Sequence, residues 1–402
     1  MELMGDLAEG HAGISDAQPA GPPVPAPALE VPLVSAANNH IERLQFTGLA
    51  GEYWRLWALN LVLNVFSLGL YSPWAKLHKM RWFARRTFLL GDSFDYQARP
   101  WRMLIGRLLA LALLLAYGHA FDFSLVAGLL LYMGLLVIGP LMFASGQRFR
   151  LRASRWRGLA FDFKVSARRC YGVCLPFLLA WLVPVGLVQQ SSKPDQWWFL
   201  VLLPWLLLPW AHARLKALQH QNSEFLGRRF EFDSVTGAFY GNYLLGILFL
   251  MLAGTVVALV SMGLGKLFAG GVPGRWAVMA YGIATMLLVY MLSWPMFAAR
   301  QQKSVWERTR WGQVQFHCDI GAWQAMALVL KHGPLVLLSL GLWWPVAAVA
   351  WARLRVQAIS LEADQSLEDL LAQMQSTAAP ESSHLAASAD AAVDLYDLDL
   401  GW

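Results

Sequence analysis

The chain has 402 residues, of which 57% are hydrophobic and 14% are charged, and this balance excludes an ordinary soluble domain. Several apolar stretches approach the roughly 20 residues that an α-helix needs to cross a bilayer. The 20 tryptophans fit the same setting, because indole rings favour the headgroup region. We attribute the net charge of +6 to orientation in a membrane and predict no nucleic-acid partner.

Both ends of the chain are predicted to be tails. Residues 1–43 are rich in Ala and Pro and offer little apolar surface to bury, so we predict a disordered tail without a cleaved signal peptide. Residues 361–402 are acidic and are predicted to be largely disordered, with a possible amphipathic helix over 361–375. The final residues, 395–402, alternate acidic and apolar types, which fits a solvated tail better than a peptide-docking motif.

Between the tails, residues 44–360 are predicted to form a membrane domain. Apolar segments lie at about 53–72, 103–119, 122–144, 171–188, 196–213, 239–261, 275–298 and 323–350. The middle six are predicted to be membrane helices in three hairpins, with turns at 118–122, 189–195 and 263–274. The expected fold class is therefore a membrane all-α bundle of six to eight transmembrane or re-entrant helices.

The first and last apolar segments leave two alternatives open. The first carries Asn60 and Asn64 in its middle, and the last contains Lys331-His332-Gly333-Pro334, where we expect a break or a kink. Each segment either crosses the membrane fully or enters and returns on the same side. Arginines flank both segments, which favours re-entrant segments and two cytoplasmic tails.

An internal repeat organises this domain. Pro73, Pro140, Pro209 and Pro295 each precede a Ser or Thr by 14 residues and a Phe by 21 residues, and a degenerate fifth unit begins before Pro345. Agreement at fixed offsets across four units predicts a repeated structural unit.

Each unit is predicted to end in a short β-hairpin. In the first unit a basic helix over 76–86 is followed by 87–96, which alternates around Gly91-Asp92, the type of pair that two-residue turns prefer. An isolated hairpin is barely stable, so we predict that the hairpins pack together as a small sheet on one membrane face.

The distribution of positive charge predicts which face this is. Of the 32 Lys and Arg residues, 25 lie in the four stretches 74–107, 146–169, 211–230 and 300–331. The opposite turns hold only Lys193, Lys266 and Arg275. Because positive loops stay in the cytoplasm, the hairpins are predicted to be cytoplasmic.

A set of residues centred on the first unit forms a recognisable pattern, namely Phe46-Thr47-Gly48, Tyr53, Trp57, Asn60, the run 68–76, Phe83, Thr87, Gly91, Phe94-Asp95-Tyr96 and Gly106-Arg107. With these residues the chain resembles a known family, the YjgN-like bacterial inner-membrane proteins, over roughly residues 44–360, and the resemblance is most specific in the first unit. The fourth unit departs from the pattern, with Cys318 at the aromatic position. The resemblance implies a bacterial inner-membrane location and an unknown function, and it supplies no catalytic or ligand residues.

No catalytic, cofactor or metal motif is found, so we predict neither an enzyme nor a cofactor. Cys170 and Cys174 share a helix face and would form a metal site only together with His212 or His220, whereas packing is the simpler interpretation. The run His317-Cys318-Asp319 also mixes metal-ligand types, but adjacent residues point in different directions.

Two groups of polar residues are candidate functional positions. Asp95, Asp162, Glu231 and His317 stand between the paired aromatic residues of the four units. They either line a shared cytoplasmic ion site or pair with Arg residues of their own units. Asn60, Asn64, Lys331 and His332 are polar residues within apolar segments, where they mark a substrate site or hold helices together.

These observations lead to two functional hypotheses. The first is a transporter or channel for a small solute or ion. The second is a membrane scaffold or lipid-interacting protein, since basic and aromatic units suit anionic lipid headgroups at about 1 kcal/mol per Lys or Arg. A continuous polar cavity through the bundle would favour transport, and a sealed apolar bundle would count against it.

Overall fold

The computed structural model describes residues 40–190, 202–267 and 275–377, and most of these residues are helical. Ten of the described helices form five pairs along the chain. Their bounds are α1 Ala50–Phe66, α2 Ser72–Arg85, α3 Pro100–Phe123, α4 Leu125–Ala153, α5 Ala167–Gln190, α6 Leu203–Gln221, α7 Thr236–Leu267, α8 Arg275–Trp306, α9 Ala322–Leu338 and α10 Trp344–Gln357. Each helix packs against the next, and α10 packs against α1, so the ten helices form a closed circle.

The pairs differ in length. The 17 residues of α1 span about 25 Å, whereas the 29 residues of α4 span about 43 Å. Within the described part of the chain, three helical segments are long and apolar enough to cross a membrane, namely Leu125–Ala153, Thr236–Leu259 and Tyr281–Trp306. The first segment belongs to the second helix pair (α3 and α4), and the other two belong to the fourth pair (α7 and α8).

Short strands follow every second helix. They are β1 His40–Arg43, β2 Gln45–Phe46, β3 Thr87–Leu89, β4 Asp92–Tyr96, β5 Ser154–Trp156, β6 Leu159–Ala160, β7 Asp162–Phe163, β8 Ser223–Phe225, β9 Arg228–Arg229, β10 Glu231–Phe232, β11 Thr309–Trp311, β12 Val314–Cys318 and β13 Ile359–Ala363. All pairings between them are antiparallel.

These strands close into a ring. The pairing orders are β2-β3-β4-β5-β6, β7-β8-β9 and β10-β11-β12-β13-β1. Single residues, Leu44, Phe161 and Phe230, separate β1 from β2, β6 from β7 and β9 from β10, so the three sheets continue into one another. We call this closed arrangement the strand ring.

Residues 40–46 complete the ring. Here β1 pairs with β13, which follows the fifth helix pair, and β2 pairs with β3, which follows the first. The Leu44 backbone N–H also donates to the Ile359 carbonyl at 3.2 Å. The predicted tail boundaries therefore shift, because residues 40–43 and 361–363 pair in the ring instead of belonging to tails.

The interior of the strand ring is filled by apolar side chains. Leu89, Trp156, Phe225, Trp311 and Leu361 from the first strands are buried there together with aromatic residues from the second strands. The ring centroids of Phe161 and Phe225 lie 4.5 Å apart, and those of Phe94 and Trp156 lie 6.0 Å apart. This packed aromatic core explains why Phe recurs at one offset in four units.

A hydroxyl group marks each of four helix-to-strand junctions. Because the last carbonyls of a helix have no partner within the helix, a Ser or Thr hydroxyl can donate to the carbonyl four residues earlier. The four bonds are Thr87 to Phe83 at 3.0 Å, Ser154 to Arg150 at 3.1 Å, Ser223 to Gln219 at 2.6 Å and Thr309 to Val305 at 2.9 Å. They give the recurring Ser or Thr a physical role at the helix end.

A final helix, α11 (Leu367–Thr377), packs against the interior of the strand ring. It buries four apolar residues with helical spacing, Leu367, Leu370, Leu371 and Met374. A helix in this region was predicted over 361–375, and the structure begins it six residues later because 359–363 are a strand. The predicted motif at 395–402 lies outside the described residues.

Three local predictions require correction. The first hairpin turns at Ser124 rather than at 118–122, because Ser124 Oγ accepts the Ala127 N–H at 3.0 Å and caps α4. The strand turn uses Leu90-Gly91, both at positive φ, rather than Gly91-Asp92, since Leu89 pairs with Asp92. The predicted turns at 189–195 and 263–274 lie mostly outside the described residues.

The third correction concerns Lys331-His332-Gly333-Pro334. No break occurs there, because α9 continues to Leu338 with Pro334 inside it. At Gly333 a Cβ atom would meet Met291 of α8 at 1.6 Å, so glycine permits the close packing of α8 against α9 at this point. The chain turns instead at Leu340-Gly341, where both residues have positive φ.

Candidate functional site

A pocket of about 310 Å³ lies between the first helix pair and α3. Its walls come from one apolar helix, α1, one basic helix, α2, and the first turns of α3. The lining residues are Tyr53, Trp57, Asn60, Leu61, Asn64, Ser72, Ala75, Lys76, Lys79 and Arg107. We call this cavity the basic pocket.

The charged side chains that line the basic pocket are all positive. Lys76, Lys79 and Arg107 line the basic pocket, and none of the described residues lining it is Asp or Glu. The Arg107 guanidinium donates a hydrogen bond to Ser72 Oγ, which ties α3 to the start of α2. Three cations around one cavity create a positive potential that favours an anionic ligand.

The polar side chains of α1 complete the pocket. Asn60 is buried, and its Oδ1 lies 3.3 Å from His78 Nδ1, which is in turn 3.4 Å from the Tyr71 hydroxyl. Asn64 Oδ1 is buried and has no hydrogen-bond partner among the described residues. An unpaired buried acceptor is costly, so this oxygen favours a ligand that brings a donor.

The first and fifth helix pairs end in similar apolar turns. Leu68-Gly69 and Leu340-Gly341 have positive φ, and both leucines are 94% exposed. Phe66 is 84% exposed beside the first turn, and Leu338 is 82% exposed beside the second. Bulky apolar side chains at such exposure are unusual in water and fit contact with hydrocarbon.

The acidic positions of the first two units pair with arginines, as the alternative interpretation predicts. Arg85 Nε donates to Asp95 Oδ1 at 2.9 Å, and Arg152 Nε donates to Asp162 Oδ1 at 2.8 Å. Partial burial acts to raise the pKa of each carboxyl group, but hydrogen bonds from Gln97 and Arg85 to Asp95, and from Arg152 to Asp162, outweigh it. Both pKa values therefore lie below the usual range.

The other two positions have different neighbours. Glu231 is exposed on β10 opposite Arg310, and His317 Nε2 lies 2.7 Å from Glu362 Oε2 on β13. In the ring register Gln45 occupies the fifth equivalent position, which sequence reasoning missed because β2 precedes the repeat. The five positions stand around the ring on separate strands, and the structure does not bring their side chains into one site.

The polar residues of α9 also lie apart from the basic pocket. Lys331 is exposed, and His332 Nδ1 accepts a hydrogen bond from Trp343 Nε1 at 3.1 Å. The bond joins α9 to the start of α10. Of the eight candidate residues, only Asn60 and Asn64 share a site, and the three cations beside them were not singled out from the sequence.

The cysteines take part in packing contacts. Cys170 Sγ lies 4.0 Å from Cys174 Sγ and donates to the Pro140 carbonyl at 2.9 Å. Cys318 is fully buried in the ring core. Among the residues that the structure describes, no group of three or more His, Cys, Asp or Glu side chains is arranged to hold a metal ion.

Comparison with known proteins shows which family the chain is part of. Residues 41–392 match the family described as a bacterial protein of unknown function (DUF898). The chain belongs to this family. The predicted resemblance to YjgN-like proteins is confirmed, and the long apolar helices make the chain a membrane protein.

The named relatives match over part of their length. Inner membrane protein YjgN of Salmonella typhimurium is 30% identical over 155 residues, which cover 37% of this chain and 38% of that protein. The proteins of the same name from Escherichia coli O157:H7 and K12 are 27% and 28% identical over 141 residues, or 35% of each relative. No solved structure matches the chain.

Proposed function

We propose that the chain is a multi-pass protein of the bacterial inner membrane that interacts with lipid and does not transport a solute. In this proposal it consists of five related units whose strand ring lies in the cytoplasm. The second, third and fourth helix pairs cross the membrane. The first and fifth pairs enter the cytoplasmic leaflet and return.

The exposed apolar turns of the first and fifth pairs carry this proposal. Leu68 and Leu340 stand at the ends of helices about 20–25 Å long, which is short of the roughly 30 Å hydrocarbon core. Both ends of each pair join strands of one ring, so each pair leaves the ring and returns to it. Hydrocarbon contact at the turns accounts for their exposure.

Charge supports the cytoplasmic position of the strand ring. Most Lys and Arg residues lie in the strands, in the second helices close to them, or at the starts of the first helices. The relatives are named inner membrane proteins, and the positive-inside rule then favours a cytoplasmic ring.

The transport hypothesis receives less support. The interior of the strand ring is packed with aromatic side chains, which leaves no polar route along its centre among the described residues. The predicted helix break at 331–334, the main basis for a midplane substrate site, is absent. We therefore prefer the lipid-interacting alternative.

Cysteine labelling tests this arrangement. In a variant with Cys170, Cys174 and Cys318 replaced by Ala, single cysteines are introduced as Leu68→Cys and Leu340→Cys and labelled with an environment-sensitive bimane. Because both turns are proposed to lie in hydrocarbon, we expect doxyl-labelled lipids to quench both labels and a water-soluble maleimide to react poorly from either side.

Two further positions serve as controls. Ala160→Cys on β6 should react in inside-out vesicles, and Ser124→Cys between α3 and α4 should react in intact spheroplasts. Aqueous labelling of Leu68→Cys and Leu340→Cys at the rate of Ala160→Cys would overturn the proposed membrane insertion.

A further inference from the structure

We propose that the basic pocket binds the phosphate of an anionic phospholipid headgroup that carries a hydroxyl group, as phosphatidylglycerol does. The inference rests on the proposed insertion of the first helix pair into the cytoplasmic leaflet, because that insertion brings headgroups to the level of the pocket.

The phosphate is recognised by the three cations. Arg107 is held by its bond to Ser72, so part of its side chain is fixed before a ligand arrives. Guanidinium groups suit phosphate oxygens through paired N–H donors, and Lys76 and Lys79 add charge from α2. None of the described residues lining the pocket carries a carboxylate.

The unpaired Asn64 oxygen favours a headgroup with a hydrogen-bond donor close to the phosphate. This acceptor is buried without a partner among the described residues, and Asn64 lines the basic pocket. The glycerol hydroxyls of phosphatidylglycerol supply donors within a few bonds of the phosphate, whereas phosphatidic acid has no hydroxyl beyond its phosphate. We therefore infer a preference for the hydroxyl-bearing headgroup.

The apolar wall of the pocket provides a path for acyl chains. Leu61 lines the pocket and is 42% exposed, and the neighbouring α1 residues Leu59 and Val62 are also exposed. A soluble anion would make no use of this surface. A lipid covers it, since its chains continue from the headgroup along α1.

The fifth helix pair shows that insertion alone does not require these cations. It has the same Leu-Gly turn and the same proline at the start of its second helix. In place of Lys76 and Lys79, however, it carries Ala348 and Trp351 at the equivalent distances from Pro345. Of these two pairs, only the first has lysines at these positions. Headgroup binding by the basic pocket can therefore be distinguished from the membrane insertion that we propose for both pairs.

Native mass spectrometry of the purified full chain in detergent tests the proposal. Dioleoylphosphatidylglycerol and dioleoylphosphatidylcholine are titrated separately, and we expect the first to bind at least tenfold more tightly. The double variant Lys79→Gln/Arg107→Gln should lose about tenfold or more of that affinity, since the two lost charge-assisted contacts together weaken binding by at least that factor. Binding of the phosphatidylcholine should not change.

Matched variants separate the site from general charge. Arg300→Gln/Lys303→Gln removes one Arg and one Lys from α8 and should leave both affinities unchanged. Asn64→Ala should weaken binding of phosphatidylglycerol several-fold and leave binding of dioleoylphosphatidic acid unaltered. Thermal melting of every variant confirms that it is folded.

Three outcomes would overturn the proposal: no preference for phosphatidylglycerol, an equal loss in the α8 variant, or full displacement of the lipid by millimolar inorganic phosphate. The last outcome would assign the pocket to a soluble anion instead. If the bimane labels are quenched but no lipid preference is found, only the pocket proposal fails. If the labels react in water, the proposed insertion itself fails.

Discussion

At the scale of single residues, the recurring acids have a structural use. Asp95 and Asp162 each accept a hydrogen bond from an arginine ten residues earlier on the helix that leads into their hairpin. Arg81 and Arg148, one helical turn before those arginines, donate to the carbonyls of Tyr96 and Phe163 at 3.1 and 3.3 Å. Two arginines thus fasten the second strand to the preceding helix in each of these units.

Removal of one such acid should lower stability at neutral pH. Because the pKa of Asp162 is lower in the folded protein, its contribution is present above the unfolded pKa of about 4 and is lost as pH falls through the folded pKa. We expect Asp162→Asn to reduce the free energy of unfolding by about 0.5–1 kcal/mol at pH 7. Thermal melts in detergent from pH 7 to pH 3.5 should show the difference shrinking.

The control is Asp364→Asn, an exposed acid that follows β13. It should change the melting temperature little at any pH. An equal loss in both variants, or a loss in Asp162→Asn that is as large at pH 3.5 as at pH 7, would contradict a role for the ionised Asp162 carboxylate.

At the scale of elements, three strand turns have a glycine at the same position. Gly91, Gly158 and Gly227 occupy the second turn position with φ of 75° to 78°, and the residue before each of them also has positive φ. Two positive φ values give the type I′ turn, whose twist matches that of the two strands. The preceding residues are Leu or Arg, which adopt this conformation at a cost of about 1 kcal/mol each.

Substitution of one of these glycines tests the role of backbone conformation. At Gly158 an added Cβ would meet nothing within 4 Å, so Gly158→Ala changes no packing. We expect a loss of about 1 kcal/mol in the free energy of unfolding, because φ at this position is +77°. Chemical unfolding in mixed micelles measures this change in the free energy of unfolding.

Gly237→Ala provides the comparison. It lies in the first turn of α7, and its Cβ also meets nothing within 4 Å. Since alanine favours helices over glycine, this change should be neutral or slightly stabilising. If both substitutions had the same effect, positive φ would not be the cause.

At the scale of the whole described chain, the strand ring depends on its first strand. Phe46 is 3% exposed and packs with Tyr53 and Val349, so residues 40–46 contribute both strand pairing and core. Without them, β3 and β13 would both be left as unpaired edges.

Two truncations should separate this role from that of the preceding residues. Deletion of residues 1–46 removes the strand pairing and the burial of Phe46, for which a loss of at least 3–5 kcal/mol is typical of a large aromatic residue. Deletion of residues 1–38 removes neither. Fluorescence-detected gel filtration after heating should show the first truncation melting far below the second, and equal melting temperatures would contradict closure through β1 and β2.

The repeated unit stays a prediction. Residues at its fixed offsets nevertheless take similar places in the structure, as junction hydroxyls and as core phenylalanines. Ring closure could not be predicted, since it depends on pairing between Leu44 and Ile359, which are about 315 residues apart. This contact is not repeated along the chain, so no periodic pattern indicates it. The basic pocket was not predicted, because the spacing of apolar and basic residues along α2 does not show which of its cations lie beside Arg107 of α3. At 331–334 the chain stays helical, and Gly333 there lies against Met291, a contact with another helix that local sequence does not reveal.

Ring closure also determines the order in which the strands can pair during translation. While the ribosome is still making the later helix pairs, β2 already has β3 as a partner, but β1 waits for β13 until nearly the whole chain has emerged. In the proposed orientation, an open strand edge faces the cytoplasm and other nascent chains throughout that interval. We therefore expect demand for chaperones to be greatest late in translation, after the crossing helices have already entered the bilayer.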